Sequence, residues 1–94
     1  MEKTISNARA LNKVKGFHWF SPKTMQFFRS QVHGGILKEK YFITSENKGF
    51  GDCVGRAFTI REVNWETGNV ATVGQFLGYR SMEEAKEAIK QMEG

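Results

Sequence analysis

Few side chains in this sequence are suited to covalent chemistry: one cysteine (Cys53), two histidines (His18 and His33), Asp52 and a scatter of serines. An acyl-transfer site needs a nucleophile, a base and an oxyanion donor brought together, and none of these residues sits in a local motif that does so. Cys53 follows Asp52 in a glycine-rich stretch without the positive surroundings that would lower its pKa, so it reads as an inert thiol. His18 lies inside the aromatic run Phe17-His18-Trp19-Phe20 and reads as a packed ring hydrogen-bonded to backbone. His33 is expected at a helix C-terminus, where an imidazolium complements the helix dipole. Two histidines without a carboxylate at ligand spacing fall short of the three or four ligands that zinc asks for. Gly49-Phe50-Gly51-Asp52-Cys53-Val54-Gly55 has the glycines of a phosphate-binding loop, but neither its spacing nor a strand-to-helix context, and reads as a connector. The expectation is therefore a non-enzymatic binding module with no catalytic residue, no cofactor and no metal.

Contact residues are a better prospect. On a helical wheel Met25, Phe28 and Val32 make an inward stripe, and Phe27 points away from it among Lys23, Ser30 and Gln31. Two explanations for an aromatic on the polar face stay open. Either residues 1–15 fold over Phe27, or Phe27 with Lys23 and Arg29 forms a contact surface, aromatic for area and basic for phosphate or carboxylate. Lys40, Arg56 and Arg61 are the other basic residues expected to meet a partner.

The elements that must position these residues can be read from local signals. Residues 1–15 are basic, with Ile5, Ala8, Leu11 and Val14 at three-residue steps after a Ser6 cap, which makes them either an N-terminal arm or a loose helix. Gly16 breaks that pattern, and Phe17 to Phe20 reads as a short extended segment. Ser21 as cap, Pro22 at the first helical position and Phe20 with Met25 as a hydrophobic staple predict a helix running to Val32 or His33, ended by Gly34-Gly35. Ile36 to Glu46 is strand-like. Arg56 to Trp65 and Val70 to Tyr79 are rich in β-branched and aromatic residues and joined by Glu66-Thr67-Gly68-Asn69, a hairpin with Gly68 at the positive-φ position. Ser81 with Glu84 forms a capping box before an amphipathic helix carrying Met82, Ala85, Ile89 and Met92. The predicted fold is α+β: a single domain over residues 16–94, in which a helix, a three-stranded antiparallel meander and a C-terminal helix place both helices on one face of the sheet.

Ninety-four residues suffice for one core and not for two, and eight Phe, two Trp and two Tyr can fill it. No apolar run reaches the length of a membrane span or a signal peptide, so a cytoplasmic protein without a membrane partner is expected. A lone cysteine fits a reducing compartment. Charge is uneven: residues 1–61 carry eleven Lys or Arg against four Asp or Glu, and residues 62–94 three against six. That imbalance permits an anionic partner on the N-terminal side.

Phe17-His18-Trp19-Phe20, Thr24-Met25-Gln26-Phe27-Phe28, Tyr41-Phe42-Ile43-Thr44-Ser45-Glu46, Ile60 to Asn69 and Thr72-Val73-Gly74-Gln75-Phe76 together resemble small uncharacterised accessory proteins of bacteriophages and other mobile elements, over residues 16–92. The resemblance implies a protein made in a bacterial host that blocks or redirects host machinery, a class that includes inhibitors, adaptors and anti-defence proteins such as anti-CRISPRs. The order of elements is also similar to that of the double-stranded RNA-binding domain, whose last helix opens with lysines. Met82-Glu83-Glu84-Ala85-Lys86 is acidic where that family is basic. Integrase arm-type DNA binders, which use a three-stranded sheet face, are matched in kind by Lys40, Arg56 and Arg61. With the positive charge spread over many segments and an acidic C-terminal third, a host protein is the preferred partner and nucleic acid the alternative.

Overall fold

A computed structural model describes residues 2–27, 29–47 and 56–92, with Phe27, Asn47 and Arg56 described in backbone only. The expectations for Cys53, Asp52 and the glycine stretch 49–55 fall outside these residues. Three helices and four strands are present among those described: α1 Ile5–Val14, α2 Pro22–Phe27, β1 Gln31–Leu37, β2 Tyr41–Asn47, β3 Arg56–Val63, β4 Val70–Val73 and α3 Met82–Gln91. The strands form one antiparallel sheet in the order β1-β2-β3-β4. The meander is thus as predicted, but with four strands instead of three.

The extra strand comes from the chain expected to finish the second helix. α2 stops at Phe27 because Arg29 takes the left-handed conformation (φ 52), with its N–H bonded to the Gln26 carbonyl and the Ser30 N–H to the Met25 carbonyl at 2.7 Å. That pair of bonds is a Schellman ending, with Arg29 where glycine is usual. Gly34-Gly35, expected to end the helix, instead lies within β1. There the register against β2 shifts between His33 and Leu37, and Gly34 has φ +67. A tight turn at Lys38-Glu39, both at positive φ, then divides the stretch read as one strand from Ile36 to Glu46. Neither residue is a usual turn former, and tertiary contacts hold them. Lys38 Nζ donates to the carbonyls of Lys90 (3.0 Å) and Met92 at the end of α3, and the Trp65 indole donates to the Glu39 carbonyl at 2.7 Å.

α1 is capped by Thr4, whose hydroxyl accepts from the Asn7 N–H at 3.2 Å, and not by Ser6. It ends at Gly16 (φ +88). Its buried positions are Ala8 and Asn12, whereas Val14 is 79% exposed, so the stripe departs from the predicted three-residue steps. Residues 18–21 form a turn closed by the Ser21 N–H on the His18 carbonyl, not an extended segment. β4 is shorter than expected. After Val73 the chain leaves the sheet at Gly74 (φ +73) and returns at Tyr79, which bridges Phe58. Gly68 has φ +79 as the hairpin requires, and a side chain there would also strike Lys15 Cγ at 2.8 Å.

Alternation along β2 and β3 gives the sheet two covered faces. Tyr41, Ile43 and Ile60 point to one, packed with Ala85 and Ile89 of α3. Phe42, Val63 and Val70 point to the other, beneath Ala8 and Ile5 of α1 and the rings of Trp19 and Phe20. The helices therefore lie on opposite faces and not on one. Fully buried side chains such as Phe42, Ile43, Ile60 and Ile89 each stabilise the fold by roughly 1.5–3 kcal/mol. Among the described residues, no helix is long and apolar enough to cross a membrane.

Candidate functional site

The face under α1 carries polar as well as apolar side chains. Phe42, Thr44 and Glu46 of β2 share it with Thr59 and Arg61 of β3 and Thr72 of β4. Glu46 is fully buried, and its Oε1 accepts from Arg61 Nη2 and from the Thr44 hydroxyl, each at 2.6 Å. Arg61 Nε donates to the Thr44 hydroxyl at 3.2 Å and Nη1 to the Thr72 hydroxyl. Thr59 donates to Glu46 Oε2 at 3.5 Å and accepts the Leu77 N–H at 2.9 Å. Burying an ion pair costs desolvation that is offset only when the remaining lone pairs and protons are satisfied, as these are. No buried side-chain nitrogen or oxygen among the described residues lacks a partner.

Arg61 is 7% exposed, and its guanidinium carbon lies 5.3 Å from the Trp19 ring centroid and 5.4 Å from that of Phe76. Two irregular segments deliver those rings. The 18–21 turn presents Trp19, which also meets Phe42 edge-on at 5.6 Å, and the excursion between Gly74 and Tyr79 presents Phe76. Asn12 anchors the first of these. Its amide donates to the Gly68 carbonyl at 2.8 Å and its oxygen accepts the Trp19 N–H at 3.0 Å, joining α1, the turn and the β3–β4 hairpin.

Arg61, Trp19 and Phe76 border an open cleft of about 750 Å³ rimmed by Lys23, Met25 and His18. A second cleft of about 240 Å³ lies beside it between α1 and α2. Arg9, Lys13, Phe17 and Phe20 line that cleft, which shares His18 and Ser21 with the first. Arg9 sits over the Phe20 ring at 5.5 Å. Ser21 and Thr24 are already engaged: the Ser21 hydroxyl accepts the Thr24 N–H, and the Thr24 hydroxyl donates to the His18 carbonyl at 2.8 Å. The layer built from α1 and α2 carries Arg9, Lys13, Lys15, Lys23 and Arg29, and no acid occurs between Glu2 and Glu39. On the opposite face α3 carries Glu83, Glu84 and Glu87 against Lys86 and Lys90. Positive charge is thus gathered on the α1–α2 side of the sheet, while on α3 acids and bases nearly balance.

Of the expected contact residues, Lys23 and Arg61 come together at the larger cleft. Arg29 stands at the end of α2, and the side chains of Phe27 and Arg56 fall outside the described residues. Lys40 lies elsewhere, paired with Glu62 at 3.6 Å beside Trp65. Tyr41 and, after it, Glu62 raise its pKa above the ordinary lysine value. His18 is exposed and not packed, and His33 lies in β1, with Nε2 2.6 Å from the Ser45 hydroxyl. Among the described residues no three His, Cys, Asp or Glu stand together as a metal site needs. Arg9, Lys13 and Phe76 are site residues that sequence reasoning passed over. The tandem aromatics at 17–20 were their nearest signal.

No curated protein and no solved structure matches the chain. The model of a family of unknown function, DUF7447, matches residues 4–90, from the cap of α1 almost to the end of α3, so the chain belongs to that family.

Proposed function

We propose that this chain is a non-enzymatic binding protein whose working surface is the α1–α2 face, where it holds an anionic macromolecule of a bacterial host. The observation that carries this reading is the pair of adjoining clefts at which aromatic walls meet a basic rim. Exposed aromatics beside cations supply contact area and charge complementarity together, the usual content of a recognition surface. Resemblance to accessory proteins of phages and mobile elements supports a role in the host cytoplasm during infection or carriage.

A host protein, inhibited or redirected by docking, is one partner that fits. The apolar walls of the larger cleft support it, as does the neutralisation of Arg61 by Glu46. Nucleic acid is the second, and a specific observation favours it: positive charge is gathered on one layer, with the glutamates of α3 on the opposite face and so out of the way of a bound phosphate chain.

Tagged protein and its Lys13→Glu, Lys23→Glu double variant, applied in parallel to a lysate of the bacterial host with and without nuclease, test the face itself. The wild type is expected to retain a partner that the double variant releases. Equal retention by both would remove the α1–α2 face from the interaction.

A further inference from the structure

Resting on the reading that the α1–α2 face is the binding surface, we infer that its ligand is single-stranded nucleic acid, bound with consecutive bases in the two adjoining clefts. The arrangement repeats. In the smaller cleft Phe17 supplies the open wall, since Phe20 is stacked on Phe42 and covered by Arg9, and Arg9 and Lys13 are the cations. In the larger, Trp19 and Phe76 supply the walls and Lys23 the rim cation. His18 belongs to both. A polymer that matches such a repeat must carry one flat ring and one anion per unit, and a single strand of DNA or RNA does so at every residue. An acidic peptide has no obligatory alternation of this kind.

Phe17 and Phe76 are 37% and 38% exposed, so part of each ring faces outward, in the case of Phe76 beside the contacts it makes with Arg61 and elsewhere in the chain. In a duplex the bases stack on each other and offer no free faces, so the aromatic walls would go unused. Base-on-aromatic stacking is indifferent to base identity because every base has a π-face. Three of the polar side chains at the clefts are also committed elsewhere: Asn12 to Gly68 and Trp19, Ser21 to the Thr24 N–H and Thr24 to the His18 carbonyl. Few donors are left to read base edges, so binding should be tolerant of sequence.

The fold divides the cationic work. Arg61 lies against both rings with its charge matched by Glu46, so it holds Trp19 and Phe76 in place and is not a phosphate ligand. Arg9, Lys13 and Lys23 are left to meet phosphates. Three phosphates neutralised on a single strand give a log–log salt slope of about −2, a roughly 20-fold loss of affinity between about 0.05 M and 0.2 M salt.

The test is fluorescence anisotropy of full-length protein with labelled oligothymidylate and oligouridylate of about ten nucleotides, a hairpin duplex of equal charge, and a random copolymer of glutamate and tyrosine. The single strands are expected to bind, with the salt slope above, and the duplex to bind at least tenfold more weakly. Lys13→Glu with Lys23→Glu, and separately Phe76→Ala, should each cost tenfold or more while circular dichroism melting shows the fold intact. Lys86→Glu on α3 should change nothing. Duplex binding as tight as single-strand binding, or no binding of either strand at low salt, overturns the inference. Copolymer binding lost in the double variant, without strand binding, would also overturn it while keeping the face as a surface for an acidic protein. Binding of every probe unaffected by the double variant would overturn both.

Discussion

Replacing Glu46 by Gln leaves the Arg61 guanidinium buried between two rings with no opposing charge. Uncompensated buried charges are costly, so Glu46→Gln should lower stability by about 3–5 kcal/mol in urea denaturation, and a loss below about 1 kcal/mol would show that water reaches the pair. Asn12→Ala should cost about 2 kcal/mol or more, because it strands the Gly68 carbonyl and the Trp19 N–H. It should also quench or shift the tryptophan emission as the 18–21 turn loosens. Neither role is legible in the residue itself. Asn12 falls within a polar basic stretch, and Glu46 and Arg61 occupy strand positions that read as solvent-facing until the Trp19 turn and the Phe76 excursion are known to cover them. Arg61 was legible as a basic residue near a site, but its neutralising partner and stacking rings come from segments remote in sequence.

Helix ends divide into those announced by their residues and those imposed by the fold. Gly16 ends α1 and Ser81 starts α3, its hydroxyl accepting the Glu84 N–H at 3.1 Å; both are visible in the sequence. The end of α2 is not, because Arg29 adopts a conformation that favours glycine. Arg29→Gly should therefore raise stability by up to about 0.5–1 kcal/mol, less what the interaction of the Arg29 side chain contributes, measured as a higher denaturation midpoint at unchanged slope. The Lys38-Glu39 turn makes a parallel case. Glu39→Gly keeps the carbonyl that Trp65 uses and relieves φ +65, losing only an exposed ion pair to Lys3, so it too should stabilise by about 0.5–1 kcal/mol. A loss of stability in either variant would mean that the side chain contributes more than its strained backbone costs. β1 escaped notice for the same reason: its glycine pair signals a chain break equally well at a helix end and in a bulged edge strand.

At the scale of the molecule, the sheet separates a basic layer from one in which acids and bases nearly balance. Like charges crowded onto the α1–α2 layer repel, and the repulsion reaches further when the Debye length is about 30 Å, near 0.01 M salt, than at about 8 Å in 0.15 M. Thermal stability should rise over that range by ~0.5 kcal/mol in calorimetry, and a fall would show that pairs such as Lys40–Glu62 outweigh the layer's self-repulsion. The uneven charge was visible along the sequence, but its division between faces was not, since that depends on α1 and α3 packing on opposite sides. Class of fold, the β3–β4 hairpin and the last helix follow from local patterns. The clefts depend on where the chain leaves regular structure, at the 18–21 turn and the Gly74 excursion.

The Glu46–Arg61 pair also acts as a key for strand alignment. A two-sided sheet of apolar residues tolerates sliding poorly in principle, yet β2 carries Phe42 and Ile43 side by side, so a one-residue slip would still offer each face a large apolar group. With Glu46 and Arg61 in place, such a slip turns one ion onto the face packed by α3 and leaves its counterpart alone on the other. The misaligned sheet then bears two unpaired buried charges, which leaves the observed alignment as the arrangement in which both are neutralised.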